Sequence, residues 1–341
     1  MRVKDEVQYR SGARMGNGVP LAPPVRPAAQ SGVAILGDPL NVSFESVSVI
    51  VVNHNAGTLL RDCVCSALEQ AAQIIVVDND STDGSMELLA ARFAGEQRLT
   101  TQFVGKNLGF AAGCNLGMDH AIHSHLLFLN PDCVLGQGAL RRMVAALDSD
   151  PAVGMVGGLL VNLDGSEQGG GRRAVPTPWR SFVRAFGLNR LSNRWPKLFF
   201  DFYLHTQPLP TSPIEVEAIS GALMLVSRAA VQDVGRWDEA YFLHCEDLDW
   251  CMRFRQRKWK ILFVPDAPVV HHLGHSSRVR PYFVEWHKHK GMVHFYRKFF
   301  QNQYPGALMW LVDAGVWFRF GLVSIHHWST RLWKRMRGEN E

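Results

Sequence analysis

Three carboxylates, Glu246, Asp247 and Asp249, fall within four positions of the stretch Tyr241-Phe-Leu-His-Cys-Glu-Asp-Leu-Asp-Trp-Cys-Met-Arg253. Like charges crowded this closely repel, and each disfavours ionisation of the next. Residues 248–257 read as a helix, so Glu246 and Asp247 sit at its first turn, where the dipole and free N–H groups favour negative charge. Asp249 can reach Arg253 at i+4. A single Asp would cap such a helix, so the surplus points to chemistry. A carboxylate held at the edge of a pocket is a natural general base.

Three further polar clusters each end an apolar run: Asn53-His54-Asn55, Asp78-Asn79-Asp80 and Asn130-Pro131-Asp132. Taken singly, each has turn composition. On one edge of an open parallel sheet they would face the crevice beyond the carboxyl ends of the strands, where ligands bind. The chain has no GxxxxGK[ST] loop, and no GxGxxG follows the first run. A bound nucleotide therefore needs another counter-charge for its phosphates, and a divalent cation held by oxygen ligands supplies it. Asp132 suits that role, because Pro131 fixes the turn and the apolar run pins the carboxylate. His271, His272 and His275 follow in Val269-Val-His-His-Leu-Gly-His-Ser-Ser277. Imidazole is a common metal ligand, although Mg²⁺ and Mn²⁺ favour oxygen; one of the three is expected near the site.

The elements that must position these groups are legible in the periodicity. Ser46-Val-Ser-Val-Ile-Val-Val-Asn53, Ile74-Ile-Val-Val-Asp78, residues 99–104 and Leu126-Leu-Phe-Leu129 read as strands. Helices are expected at 58–70 with Thr58 as N-cap, at 85–93 and at 109–124. Continuous apolar strands alternating with helices imply an α/β fold with a mostly parallel sheet covered on both faces. Beyond a helix at 138–149 and a strand at 153–161, residues 162–213 are rich in Gly, Pro, Arg and aromatics with weak periodicity, as a functional loop, a lid or an element hidden from the pattern would be. A strand at 217–226, a helix at 228–234 and a last core strand at 261–264, closed by Pro265, complete this part.

Composition sets the wider frame. Of 341 residues, 47% are hydrophobic and 20% charged, as in a folded globular protein. The net charge of +5 is uneven: residues 251–341 carry 16 Lys and Arg against 5 Asp and Glu, and residues 1–250 carry 20 against 26. A basic end suits an anionic partner. The six cysteines show neither CxxC nor zinc-type spacing, which favours a reducing compartment. Residues 1–45 read as a disordered Pro/Gly-rich tail without a secretory h-region.

The chain resembles family 2 glycosyltransferases, the inverting, nucleotide-sugar-dependent enzymes of GT-A fold, and within them the bacterial rhamnosyltransferase-like branch. The resemblance rests on Val47-Ser-Val-Ile-Val-Val-Asn-His-Asn55, Ile75-Val-Val-Asp-Asn-Asp-Ser-Thr-Asp-Gly-Ser85 and Asn107-Leu-Gly-Phe-Ala-Ala-Gly-Cys-Asn-Leu-Gly117. It continues through Leu127-Phe-Leu-Asn-Pro-Asp132, Val234-Gly-Arg-Trp-Asp-Glu239, Phe242-Leu-His-Cys-Glu-Asp-Leu-Asp249 and the stretch from Pro265 to His271. These ordered matches span about residues 46–277, which the resemblance makes a Rossmann-like GT-A domain.

The resemblance implies roles. Val52, Asn53, Asp78, Asn79, Asn107, Gly109, Asn115 and Pro131 would line the nucleotide pocket. Asp132, where many relatives carry Asp-x-Asp, would hold Mg²⁺ or Mn²⁺ on the diphosphate, with His271 completing the site. Asp247 would be the base that deprotonates the acceptor, and Glu246, Asp249, Trp237 and Asp238 would position it. His54 stands in place of the family's usual Tyr and Asp80 in place of a small residue, which reshapes the base pocket. The implied donor is dTDP-rhamnose and the implied acceptor a saccharide or a polyprenyl-diphosphate-linked saccharide of the cell wall or surface polysaccharide. A UDP-sugar is the alternative donor. A nucleotidyltransferase would carry a cationic Gly-rich loop where His54-Asn-Ala-Gly57 stands, and a nucleic-acid-binding module does not fit the acidic first part.

Residues 278–341 form a basic, aromatic helical region. Residues 306–323 approach the length of a membrane span but carry Asp313 and Arg319. With Trp328 and Arg331-Leu-Trp-Lys-Arg-Met-Arg337 they suit an anionic membrane surface. The expected location is the cytoplasm, peripheral on the inner face of the plasma membrane.

Overall fold

In the first strand, β1 (Glu45–Asn53), residues from Val47 onward are buried on both sides. Ile50 and Val52 face one core layer, and Val47, Val49 and Val51 the other. That is the period-two alternation of a strand covered on both faces. The computed structural model describes residues 45–272, except 193, 196 and 201, and residues 281–336. The expected N-terminal tail, up to residue 44, lies outside them, as do His275 and the 277/278 boundary.

The chain continues as α1 (Thr58–Leu68), β2 (Ala71–Asp78), α2 (Ser85–Arg92), β3 (Leu99–Phe103), α3 (Phe110–His120), β4 (His125–Leu129), β5 (Cys133–Leu135), α4 (Ala139–Leu147) and β6 (Val153–Val161). Next come β7 (Arg172–Arg173), α5 (Pro178–Ala185), β8 (Ile214–Glu215), β9 (Ala218–Ile219), β10 (Leu223–Ser227) and α6 (Arg228–Val234). The last elements are α7 (Glu246–Gln256), β11 (Lys260–His271), α8 (Pro281–Phe300) and α9 (Gly306–Met336). Among the described residues the main sheet runs β3-β2-β1-β4-β10-β6-β11-β5, with β8 on β11, and β7 pairs with β9 separately. β3, β2, β1 and β4 are parallel, whereas β10 is antiparallel to both its neighbours. Helices α1 and α4 cover one face, and α3 and α7 the other.

Four local expectations are corrected. Helix α1 is preceded by Gly57 at φ 57° with no side-chain cap, so Thr58 is its first residue rather than its N-cap. The expected strand at 217–226 is broken by a turn at residues 220–222 into β9 and β10. Pro265 does not end β11. Pairing with β6 runs to Val264, skips, and resumes at Pro268. A proline has no N–H for the ladder, and a bulge absorbs the gap. This continuation carries His271 opposite Cys133 of β5. Lastly, residues 162–213 are not one loop, since they contain β7 and α5.

Candidate active site

The carboxyl ends of β1, β2 and β4 lie side by side, and the polar clusters that end β1 and β2 bond to each other. Asn53 Nδ2 lies 3.0 Å from Asp78 Oδ1 and 2.9 Å from the hydroxyls of Ser81 and Ser85, and its two N–H groups are shared among them. Asp78 Oδ2 accepts from the Ser81 N–H at 3.2 Å. Asn79 donates to the Gly109 carbonyl at 2.9 Å, and Asn107 Oδ1 accepts the Gly109 N–H at 2.9 Å. Gly109 has φ 89°, and a Cβ there would lie 2.4 Å from the Phe242 carbonyl oxygen, so only glycine fits. Val52 packs under Gly113. The amide oxygens of Asn53 and Asn79 are buried without partners among the described residues, as acceptors left for a ligand would be.

Asn115 and Trp237 are bound to each other. Asn115 donates to the Trp237 carbonyl (3.0 Å) and to Glu239 (2.7 Å) and accepts from the Trp237 N–H (3.1 Å). Trp237 packs edge-on against Phe128 and lies 4.2 Å, ring to ring, from Trp250. Both fix the loop ahead of α7.

Asp132 follows β4 and faces the end of β11. Its carbonyl accepts the His272 N–H at 3.0 Å, and its Oδ1 lies 3.3 Å from Nε2 of His271. Gln168 decides which nitrogen of that ring carries the proton. Its amide NH₂ donates to Asn162 Oδ1 (3.1 Å) and to the His271 carbonyl (3.2 Å). Gln168 Oε1 must therefore accept, and it does so from His271 Nδ1 at 2.6 Å. A neutral His271 then turns the Nε2 lone pair toward Asp132 Oδ1, which has no hydrogen-bond partner among the described residues. Two lone pairs at that distance repel unless a cation or a proton lies between them. This donor set fits a divalent cation, with Gln168 as the outer group that sets ligand orientation. Cys133 is also close, but burial, then Asp132, raises its thiol pKa well above the usual range. Gln168 sits in a Gly-rich turn after β6, and no sequence signal marked it.

Helix α7 begins at Glu246 after two consecutive non-glycine residues at positive φ, His244 (68°) and Cys245 (72°). Each such conformation costs about 1–3 kcal/mol, and the pair turns the chain so that both carboxylates enter the first helical turn. Asp247 Oδ2 accepts from the Arg173 guanidinium and from the Gly221 N–H at 3.1 Å. Its Oδ1 accepts the Leu248 N–H at 2.7 Å. A carboxylate offers about four acceptor positions, so one stays open among the described residues. Glu246 is buried, with Oε2 unpartnered among the described residues. Burial, then the neighbouring Asp247 charge, pushes its pKa up to about 8.

The same turn ties the two regions together. Gly221 binds Asp247, and the adjacent Ala222 carbonyl accepts the Asn130 N–H at 3.0 Å, two residues before Asp132. Pro131 closes that connection. Asp249 points elsewhere. It is fully buried and bonds to Arg253 and Lys298, each at 2.6 Å. Lys298 also holds Asp238 at 2.5 Å. Asp238 and Asp249 thus anchor α8 on α7.

Comparison with known proteins supplies a family. The model for the family described as "Glycosyl transferase family 2" matches residues 48–233, more than half of the chain. N-acetylglucosaminyl-diphospho-decaprenol L-rhamnosyltransferase of Mycobacterium tuberculosis is 27% identical over 289 residues, covering 81% of this chain and 92% of that relative. Rhamnosyltransferase WbbL of Escherichia coli is 23% identical over 241 residues, covering 68% of this chain and 85% of its own length. The structure is similar to that of a Pyrobaculum calidifontis mannosyltransferase solved with GDP-Man and Mn²⁺: the TM-score is 0.51 at 16% identity, over 81% of this chain and 70% of that one. The similarity is one of fold: a mostly parallel, helix-flanked GT-A-like sheet.

Proposed function

Because the chain belongs to glycosyltransferase family 2, we propose that it is an inverting, divalent-cation-dependent enzyme that transfers L-rhamnose from dTDP-rhamnose to a lipid-linked saccharide. The names of its relatives in Mycobacterium tuberculosis and Escherichia coli support rhamnose, and the first supports a polyprenyl-diphosphate-linked acceptor. The observation that carries the site is the shared turn at residues 220–222. It bonds Asp247 on one side and the Asn130–Asp132 segment on the other.

In this reading Asn53, Asp78, Asn79, Asn107 and Gly109 receive the base and ribose. Asp132 and His271 hold Mg²⁺ or Mn²⁺, with Gln168 fixing the imidazole. When bound, such a cation offsets the charge that develops on the departing diphosphate. Asp247 takes the proton from the acceptor hydroxyl as that oxygen attacks the sugar C1 from the face opposite the nucleotide. Arg173 and the Gly221 N–H hold the carboxylate in place for that transfer. Glu246, neutral near pH 7, can donate a hydrogen bond to the acceptor.

Helix α9 extends the reading to a membrane surface. Its stretch from Gly306 to Thr330 is long and apolar enough to cross a membrane by length and composition, and only 11% of its most apolar window is buried. Asp313 is held by Arg297 of α8, and Trp317 packs on Trp286, while Trp310, Leu311 and Phe318 are exposed. A helix so disposed lies along an anionic inner surface rather than through it. The test is a donor screen with a polyprenyl-diphosphate-linked saccharide, with and without Mn²⁺. Transfer from dTDP-rhamnose supports the reading; transfer only from a UDP-sugar replaces the donor.

A further inference from the structure

Residues 177–200 contain five Lys or Arg, six aromatic residues and no Asp or Glu. Helix α5, inside this segment, turns Val183, Arg180 and Ser181 toward the protein. Arg180 donates to the Val175 carbonyl at 2.9 Å and to both oxygens of Glu217. Ser181 shares a 2.7 Å hydrogen bond with Tyr296 of α8. The outward stripe is aromatic: Trp179, Phe182 and Phe186 are 45%, 44% and 68% exposed. Their rings form a ladder with centroid spacings of 5.6 and 4.5 Å. Trp195 and Leu198 continue the exposed apolar surface, and Trp179 donates to the Leu198 carbonyl at 2.7 Å. A cavity of about 830 Å³ lies beside the stripe, walled by Trp179, Leu198, Phe200, Lys197 and Tyr304. Tyr304 stands two residues before α9, so this surface meets the apolar helix at the cavity.

We propose that helix α5 and the described residues that follow it to Leu198 are a membrane-contacting arm that seats its aromatic stripe in the headgroup–acyl boundary of an anionic bilayer. Arg190, Arg194 and Lys197, all exposed, face the lipid phosphates. Tryptophan and phenylalanine interleaved with cations suit that boundary. Charge argues against a second copy of the chain, since two such cationic faces repel.

The arm also sets the reach of the site, an inference that rests on the proposed lipid-linked acceptor. Arg173, bound to Asp247, precedes Pro178 by five residues. Five extended residues span at most about 18 Å. A bilayer-seated arm therefore keeps the Asp247 carboxylate within reach of a lipid-linked saccharide of one or two sugars.

The test uses the full chain, flotation on phosphatidylglycerol-containing or pure phosphatidylcholine vesicles, and two pairs of surface substitutions, Phe182→Ser with Phe186→Ser and Arg190→Gln with Arg194→Gln. Wild type is expected to favour the anionic vesicles. Each pair should weaken that binding about tenfold or more, with melting temperature unchanged and α9 intact. Transfer to a water-soluble acceptor should persist while transfer to the vesicle-borne acceptor falls. Wild-type vesicle binding by both variants overturns the proposal. So does a wild-type dimer, seen by light scattering, that the Phe pair dissociates. Loss of vesicle binding without transfer to any acceptor would leave the arm standing and count against the transferase reading alone.

Discussion

The guanidinium of Arg173 binds Oδ2 of Asp247 across 74 residues of sequence. Arg173 lies on the two-residue strand β7, which is held to β9 just before the 220–222 turn. The carboxylate is thus clamped between a cation and a backbone N–H and keeps one acceptor position open.

That clamp predicts the cost of losing it. Arg173→Ala removes the partner of a mostly buried carboxylate and should lower stability by about 3 kcal/mol, measurable by urea unfolding. Turnover should fall as well, because Asp247 loses its fixed orientation. A variant of wild-type stability would mean that the pair contributes little to the fold.

Gln168, the outer group at the proposed cation site, makes a separate prediction. Gln168→Leu leaves His271 Nδ1 without an acceptor and frees the ring to turn. Mn²⁺ affinity should fall about 10- to 100-fold, read by electron paramagnetic resonance on protein without substrate. Unchanged affinity would remove Gln168 from the site.

Glu246 predicts a pH effect on stability. Its carboxyl keeps its proton up to about pH 8 in the fold but ionises near pH 4.5 in the unfolded chain. Between those values the unfolded state binds fewer protons, so wild-type stability declines as pH rises. Glu246→Gln stays neutral and should be the more stable protein at pH 8, with the gap closing toward pH 5. Thermal melts across that range measure it, and parallel curves would contradict the buried, protonated carboxyl.

Gly109 tests the backbone of the proposed nucleotide cluster. Gly109→Ala brings a methyl against the Phe242 carbonyl at positive φ, and should destabilise by about 1–3 kcal/mol and weaken nucleotide binding. Normal melting and binding would show that the loop relaxes freely.

Much of this arrangement is legible in the sequence because it rests on periodicity. The β-branched runs before Asn53 and Asp78 and the apolar run before Asn130 are buried parallel strands whose ends coincide with polar clusters. The i, i+4 pair of Asp249 and Arg253 likewise follows from helix geometry. What stayed hidden depends on contacts distant in sequence. Lys298, Asp249 and Asp238 meet only once α8 has docked. Gln168 and Arg173 lie in a Gly-rich, weakly periodic stretch, where strands of two residues leave no pattern. The course of β11 past two prolines was equally unreadable, because a bulge answers to its partner strand rather than to local propensity.

The most direct test of the account is turnover by Asp247→Asn at saturating donor, with nucleotide binding measured in the same preparation. General-base assistance is worth about 10²–10⁴ in rate. The account predicts a loss of that size with nucleotide affinity and Mn²⁺ dependence of binding retained. Transfer at the wild-type rate by that variant would contradict it.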